Sequence, residues 1–256
     1  MPIGMVTAPQ HDNYYRYLNP DKVRHLYSLY DLLPLIDPMR RFNHHNSQML
    51  DIIEEGTGKV LYYAVPKRLL LLFLGRNTVY RLLVSPYPRH SPSLQQLVMP
   101  RGRSSKPAWT ILISWMKRAT QETYACDLKQ LKVPHNILAA CTLAQTLYFV
   151  GLHKDAYRVD MTIARDHFVR PMYAAELEPL WINLGPENRY TRAAMITAKQ
   201  QLDENSFVRR KMPWMCDDIM KLLEVHPGMK ATVLDKDSEH QISSPREVHG
   251  DVLRKR

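Results

Sequence analysis

Strand-like and helix-like patterns are segregated along this chain, and that segregation narrows the folds open to it more than any other feature. Met49–Glu54 and Lys59–Val65 read as two strands, with Gly56-Thr57-Gly58 supplying the turn of a hairpin. Leu94–Met99 reads as a further short strand. Helical periodicity dominates after residue 100. Behind Pro107, the residues Trp109, Leu112, Ile113 and Met116 recur at i, i+3, i+4, i+7, an apolar stripe that points to a core. Asn136 caps a predicted helix over Ile137–Val150, and Gly151 suits its C′ position. Further helices are expected over 154–169, 174–183 and 188–207, and a last one from Pro213 that stops before Pro227-Gly228. Strands first and helices afterwards make an α+β plan, a small sheet capped by helices and followed by a helical extension.

The flanks follow from the same reasoning. Residues 1–18 read as a disordered lead, and Asn19, Pro20 and Asp21 then form a helix start. Val23, Leu26, Tyr27 and Tyr30 give that helix one apolar stripe, and Pro34 and Pro38 end it. A second helix is predicted from Lys67 to Leu83 with Gly75 as its weak point. Pro86, Pro88 and Pro92 mark a loop. From Asp235 the chain is polar and mixed in charge, the composition of a disordered tail, and Ser244-Pro245 within it fits a proline-directed phosphorylation site. The expected organisation is thus a lead (1–18), an N-terminal helix and linker (19–48), a mixed domain (49–150), a helical extension (151–228) and a tail (229–256).

Several protein classes are excluded at this level. Only 9 glycines in 256 residues argue against a Gly-rich nucleotide-binding fold. The three cysteines Cys126, Cys141 and Cys216 are odd in number and widely spaced, so they form neither a disulfide framework nor a paired zinc motif. A reducing interior suits them, which places the protein in the nucleus or cytoplasm. The polar run Thr7–Asn13 lacks the profile of a signal peptide, and the longest apolar run, Leu69–Leu74, is too short to span a bilayer, so no membrane association is expected.

Charge is unevenly placed. Between Glu55 and Glu122 there is no Asp or Glu, while Lys59, Lys67, Arg68, Arg76, Arg81, Arg89, Arg101, Arg103, Lys106, Lys117 and Arg118 all fall there. That stretch alone accounts for the net charge of +10. An uncompensated basic surface attracts phosphates or acidic protein surfaces.

Chemistry-bearing constellations are sparse. Adjacent His44 and His45 point apart on either a helix or a strand and find no third ligand beside Asp37 or Asp51. Asp155, Asp160, Asp166 and His167 fall in one helical stretch, but Asp155 and Asp160 do not share a face as i, i+4 partners would, and a solvated helix is expected. Cys126 and Cys141, with His135 and His153 elsewhere, are weak evidence for a nucleophile. No phosphate loop, HExxH or GxSxG motif is present. The expectation is a non-enzyme without catalytic residues, cofactor or metal.

Three stretches resemble the BTB/POZ proteins, in particular the divergent fungal-type members. Met49–Leu72 is similar to the family's opening hairpin, which leads through a "V-H-K-x-x-L" turn into a buried helix; here the turn reads Val65-Pro66-Lys67-Arg68-Leu69-Leu70, with Pro66 in place of the histidine. Asn77-Thr78-Val79-Tyr80 stands where the family commonly has "S-P-F-F". Leu97-Val98-Met99-Pro100, followed by Trp109 to Trp115-Met116, resembles the strand-then-helix element ending in "W-L-Y", without its usual acidic residues. Leu143–Leu147 with Gly151–Ala156 is similar to the family's helix pair, its turn lengthened around Tyr148. Glu176–Leu180 and Gly185–Arg192 resemble the segment that follows the domain in fungal members.

The resemblance implies a protein–protein interaction module that mediates oligomerisation, as a homodimer, and adaptor or regulatory assembly. The acid-free basic stretch, which departs from the family's usual acidic residues, points to a second, acidic protein partner docked on Arg101, Arg103 and Lys106 in the loop after Pro100. The competing expectation is a nucleic-acid-associated, transcription-related protein using the basic stretch 59–118, with Tyr62, Tyr63, Tyr80, Tyr87 and Trp109 as stacking groups.

Overall fold

The computed structural model describes residues 24–36, 41, 47–84, 95–121 and 128–234. The expected lead, the Asn19-Pro20-Asp21 helix start, the loop of Pro86, Pro88 and Pro92, and the tail from Asp235 lie outside the described residues. Two compact units divide the chain. One holds the described residues up to Lys132 together with Gln145–Ala156, and the other holds Val133–Ala144 and the described residues from Tyr157. The division passes through two helices.

The first unit opens on a 3-10 turn, Arg24–Leu26, then α1 (Leu29–Leu32) and a second 3-10 turn, Leu33–Leu35. The sequence pattern predicts one unbroken helix here. Ser28 breaks it: its backbone is extended and its hydroxyl oxygen accepts from Asp31 N at 3.2 Å, so it caps a new helix. Serine favours that local bond over helix continuation. The segment is tied down at its start and at its middle. The Arg24 guanidinium donates to Leu72 O at 2.8 Å and, more loosely, to Leu71 O at 3.4 Å, while Leu29 N donates to the Asp155 carboxylate at 2.6 Å.

The sheet follows, with β1 (Met49–Glu54), β2 (Val60–Pro66), β3 (Leu83–Val84) and β4 (Gln96–Met99) in the order β2-β1-β4-β3. β1 and β2 form the expected hairpin, with two irregularities in register. β4 lies parallel to β1, Asp51 opposite Gln96 and Glu54 opposite Met99. The two-residue β3 is not foreseen by the sequence pattern, because so short a strand has no period of its own. Between β2 and β3 run α2 (Lys67–Leu74) and α3 (Arg76–Leu82), separated at Gly75, whose φ of 83° and ψ of 160° suit glycine alone. After β4 comes α4 (Lys106–Ala119), which packs on β2 and α2.

Period-2 and period-3.6 faces meet in this unit's core. Leu50, Ile52, Leu61, Val65, Leu97 and Met99 come from the strands, Leu69, Leu70 and Phe73 from α2, and the predicted stripe Trp109, Leu112, Ile113 and Met116 from α4. Phe73 meets Trp115 edge to face at 5.9 Å, and Trp115 Nε1 donates to Lys129 O at 2.8 Å.

α5 (Ile137–Phe149) and α6 (His153–Asp166) are the helices through which the division passes. Asn136 caps α5 as expected, its Oδ1 accepting from Ala139 N at 2.9 Å, and Gly151 takes a φ of 82°. The second unit continues with α7 (Ala174–Leu184), α8 (Arg189–Leu202), α9 (Phe207–Lys211), α10 (Pro213–Val225) and α11 (Pro227–Leu234). α8 packs against α7, α9, α10 and α11. Two features differ from the sequence pattern. The predicted helix over 188–207 stops at Leu202, because Asp203 Oδ1 accepts from Asn205 N and Ser206 caps α9. Moreover, Pro227-Gly228 opens α11 instead of ending the helical region, with Met229 and Val233 fully buried. The architecture is mixed α and β, with one small sheet and a large helical complement.

Candidate functional site

β1 and β4 are parallel and in register, so their C-terminal ends emerge side by side. That places the hairpin turn 55–59 next to the turn that follows Pro100. Glu55 N donates to Met99 O at 2.8 Å, and Gly102 N donates to Glu54 Oε1 at 3.0 Å. Within the second turn Arg103 N donates to Pro100 O at 3.2 Å, and Gly102 adopts a φ of 70°. Ser104 Oγ lies 2.8 Å from Thr146 Oγ1 in a buried contact, and Ser105 caps α4 by accepting from Ala108 N. The turn is thus anchored at Gly102, Ser104 and Ser105.

Arg101 and Arg103 on this anchored turn, and Lys106 at the start of α4 directly behind it, are exposed to solvent. None of the three side chains takes a hydrogen bond or ion pair among the described residues. Lys59, exposed on the hairpin turn, joins them on the same end of the sheet.

Sequence reasoning missed Glu54, which lies just before the acid-free stretch but reaches the loop after Pro100. Its carboxylate accepts from Gly102 N on one oxygen and from Thr57 Oγ1 at 2.8 Å on the other. The Gly102 amide holds the Glu54 carboxyl below its usual range; burial opposes this partly, and the Thr57 hydroxyl, Lys59 and Arg101 lower it further. The acid-free stretch therefore carries a carboxylate in space that it lacks in sequence.

Three other cations of the basic stretch have internal partners, while Arg76 and Arg118 are exposed. Arg81 donates to Phe149 O at 3.0 Å, at the C-terminal end of α5, and lies over the Phe149 ring. Lys67 donates to Gln95 Oε1 at 2.7 Å and sits 5.3 Å from the Tyr80 ring centroid. Lys117 sits 5.5 Å from that of Tyr62. Of the aromatic residues expected to stack on bases, Trp109 is fully buried, Tyr62 and Tyr80 are each approached by a lysine, and Tyr63 is 63% exposed. Tyr87 lies outside the described residues.

The remaining candidates resolve into structural groups. His44, His45, Asp37 and Cys126 lie outside the described residues. Among the described residues no cluster of three or more His, Cys, Asp or Glu side chains is placed to hold a metal. Asp155 is buried against Leu29 N. Asp160 accepts from Arg189 at 2.7 Å and from the Tyr190 hydroxyl in a short contact. Burial pushes the Cys141 thiol far up, and the Asp160 charge adds to the effect, so this cysteine stays a neutral, inert core residue. Cys216 donates to Gln201 O from a buried position. Burial lowers His167 below its ordinary value, with the Arg170 charge as the next cause.

A cavity of about 160 Å³ in the first unit is lined in part by Arg24, His25, Asn77, Thr78 and His153. It is small beside ligand pockets of roughly 300–1,000 Å³. No helix among the described residues is long and apolar enough to cross a membrane.

Fold and surface together define a mixed α and β protein whose anchored, solvent-facing turn presents cations that make no side-chain hydrogen bond or ion pair among the described residues. Set against models of known families, curated proteins and solved structures, the chain finds no match.

Proposed function

We propose that this chain is a protein–protein interaction module of the BTB/POZ type, acting inside the cell, in the nucleus or cytoplasm, without catalysis of its own. It self-associates as a homodimer and brings a second protein into an adaptor or regulatory assembly through Arg101, Arg103 and Lys106. The observation that carries this reading is an anchored turn bearing three exposed cations whose side chains make no hydrogen bond or ion pair among the described residues. A merely solvated loop has no use for three separate anchors, whereas a recognition loop benefits from being held in one conformation before its partner arrives. The order of elements supports the family reading: a hairpin leading into α2, β4 leading into α4, and then α5 and α6.

Self-association has its own support. β2 is an edge strand with no charged side chain along Val60–Pro66, and Tyr63 stands exposed on it. Uncharged edges are sites of pairing between chains unless bulges blunt them; Ala64, at a φ of 50°, kinks this strand, which leaves Val60–Tyr63 as the stretch open to a second copy. Light scattering at tens of micromolar (on the order of concentrations at which stable dimers persist) is expected to give twice the chain mass of 29.9 kDa. A monomer at that concentration would overturn the dimer reading.

A further inference from the structure

We propose that the paired turns Glu55–Lys59 and Pro100–Lys106 form one docking surface for a short acidic segment of a partner protein, with Glu54 as the residue that positions it. This deepens the interaction-module reading and rests on it.

The surface is composite. Lys59 comes from the hairpin turn, and Arg101, Arg103 and Lys106 come from the turn after β4, brought alongside by the parallel register of β1 and β4. Glu54 joins the two turns: one carboxylate oxygen accepts from Gly102 N, and the other from Thr57 Oγ1. Thr57 Oγ1 in turn accepts from Lys59 N at 3.2 Å. A single side chain thereby sets both cation-bearing turns.

The pattern of charge selects the partner. Four exposed cations sit together with the half-buried Glu54 and the exposed Glu55. A nucleic-acid backbone repeats its charge every few ångströms, which calls for a continuous cationic track and aromatic platforms. Here two carboxylates interrupt the surface, and Lys67, Arg81 and Lys117 are engaged within the fold. Trp109 is buried. A discrete set of carboxylates on a short peptide matches this arrangement, because each arginine fork takes one carboxylate in two parallel hydrogen bonds.

The role of Glu54 has a sign that separates it from an ordinary surface charge. Removing a carboxylate from a basic surface strengthens attraction for an acidic ligand if only charge matters. Removing the residue that holds the turns together weakens it. In the full chain, binding of a labelled short oligoglutamate peptide is measured against an oligothymidylate of equal charge. The expected order of affinity for the peptide is Glu54→Gln at or above wild type, because the amide oxygen still accepts from Gly102 N, and Glu54→Ala below wild type. Arg101→Glu, Arg103→Glu and Lys106→Glu combined are expected to cost about tenfold or more. Lys59→Glu alone, on an exposed turn, gives a smaller loss and keeps the test informative if the triple variant fails to fold.

Wild-type affinity in Glu54→Ala overturns the positioning role. Unchanged peptide binding in both charge-reversal variants overturns the surface. Tighter binding of oligothymidylate than of the peptide, lost in the same variants, replaces the acidic segment by nucleic acid. Light scattering on the same samples separates the two readings. A dimer that does not bind the peptide refutes the surface and leaves the module standing, whereas a monomer that binds it does the reverse.

Discussion

Glu54 illustrates what single residues contribute here. Its partner amide, at Gly102, is 48 positions away, so no local pattern reveals the contact. Because the folded carboxyl titrates below its ordinary value, the Gly102 contact is fully present above the usual glutamate range of about 4.3 and is lost as pH falls through the depressed value. The Gly102 amide proton is therefore expected to shift in NMR spectra with an acid-side midpoint below that of a free glutamate. A midpoint at or above the ordinary value, or an unchanged titration in Glu54→Gln, would refute the contact. Asp160 is a second case. Its charge is buried between Arg189 and the Tyr190 hydroxyl. Arg189→Met leaves that carboxylate without its cation and is expected to cost about 3 kcal/mol, the low end for a buried pair because the arginine is partly exposed. Urea denaturation measures this, and a loss under about 1 kcal/mol would mean that solvent already screens the pair. The sequence shows Asp160 only as a helical acid; its partner comes from α8, 29 positions on.

At the scale of elements, glycine and proline act in ways that depend on what packs against them. Gly75 separates α2 from α3 at a backbone conformation that other residues reach only with strain. Gly75→Ala is expected to destabilise the first unit by about 1–3 kcal/mol, read from the midpoint of chemical denaturation; an unchanged midpoint would mean that the two helices merge without cost. The weak point was legible in the sequence, since a glycine inside an apolar helical run lowers helix propensity and opens positive φ to the chain. Pro227-Gly228 was misleading. Proline suits the first turn of a helix as well as the end of one, and only the neighbouring structure decides. Here a Cβ at Gly228 would meet the Trp181 ring at 3.4 Å, an ordinary contact distance, so the position does not demand glycine. Met229 is a core residue, and Met229→Ala is expected to lower stability by about 2–5 kcal/mol. A thermal transition unmoved by that substitution would show that α11 is not part of the folded unit. Ser28 and Ser206 mislead in the opposite direction, each breaking a stripe whose apolar spacing suggests one continuous helix.

For the whole molecule, net charge and association act against each other. Two copies of a chain carrying +10 repel, and salt screens that repulsion over a length of about 10 Å at 0.1 M. Self-association is therefore expected to strengthen from low to moderate salt, while binding of an acidic peptide weakens over the same series. Light scattering and peptide titration at matched salt test this pair of trends, and a parallel response of both would show that one surface serves both contacts. The α+β plan, the hairpin, most helix positions and the α4 core stripe were legible in the sequence, because burying one face of a strand or helix imposes a period on neighbouring residues. The excess of cations was equally legible, since it is a matter of composition. Only the tertiary structure decided which cations are engaged and which face solvent, that β4 lies parallel to β1 and so brings two distant turns together, and that Glu54 joins them. Those outcomes depend on strand register and chain crossing between residues far apart, and no local period records how distant segments meet.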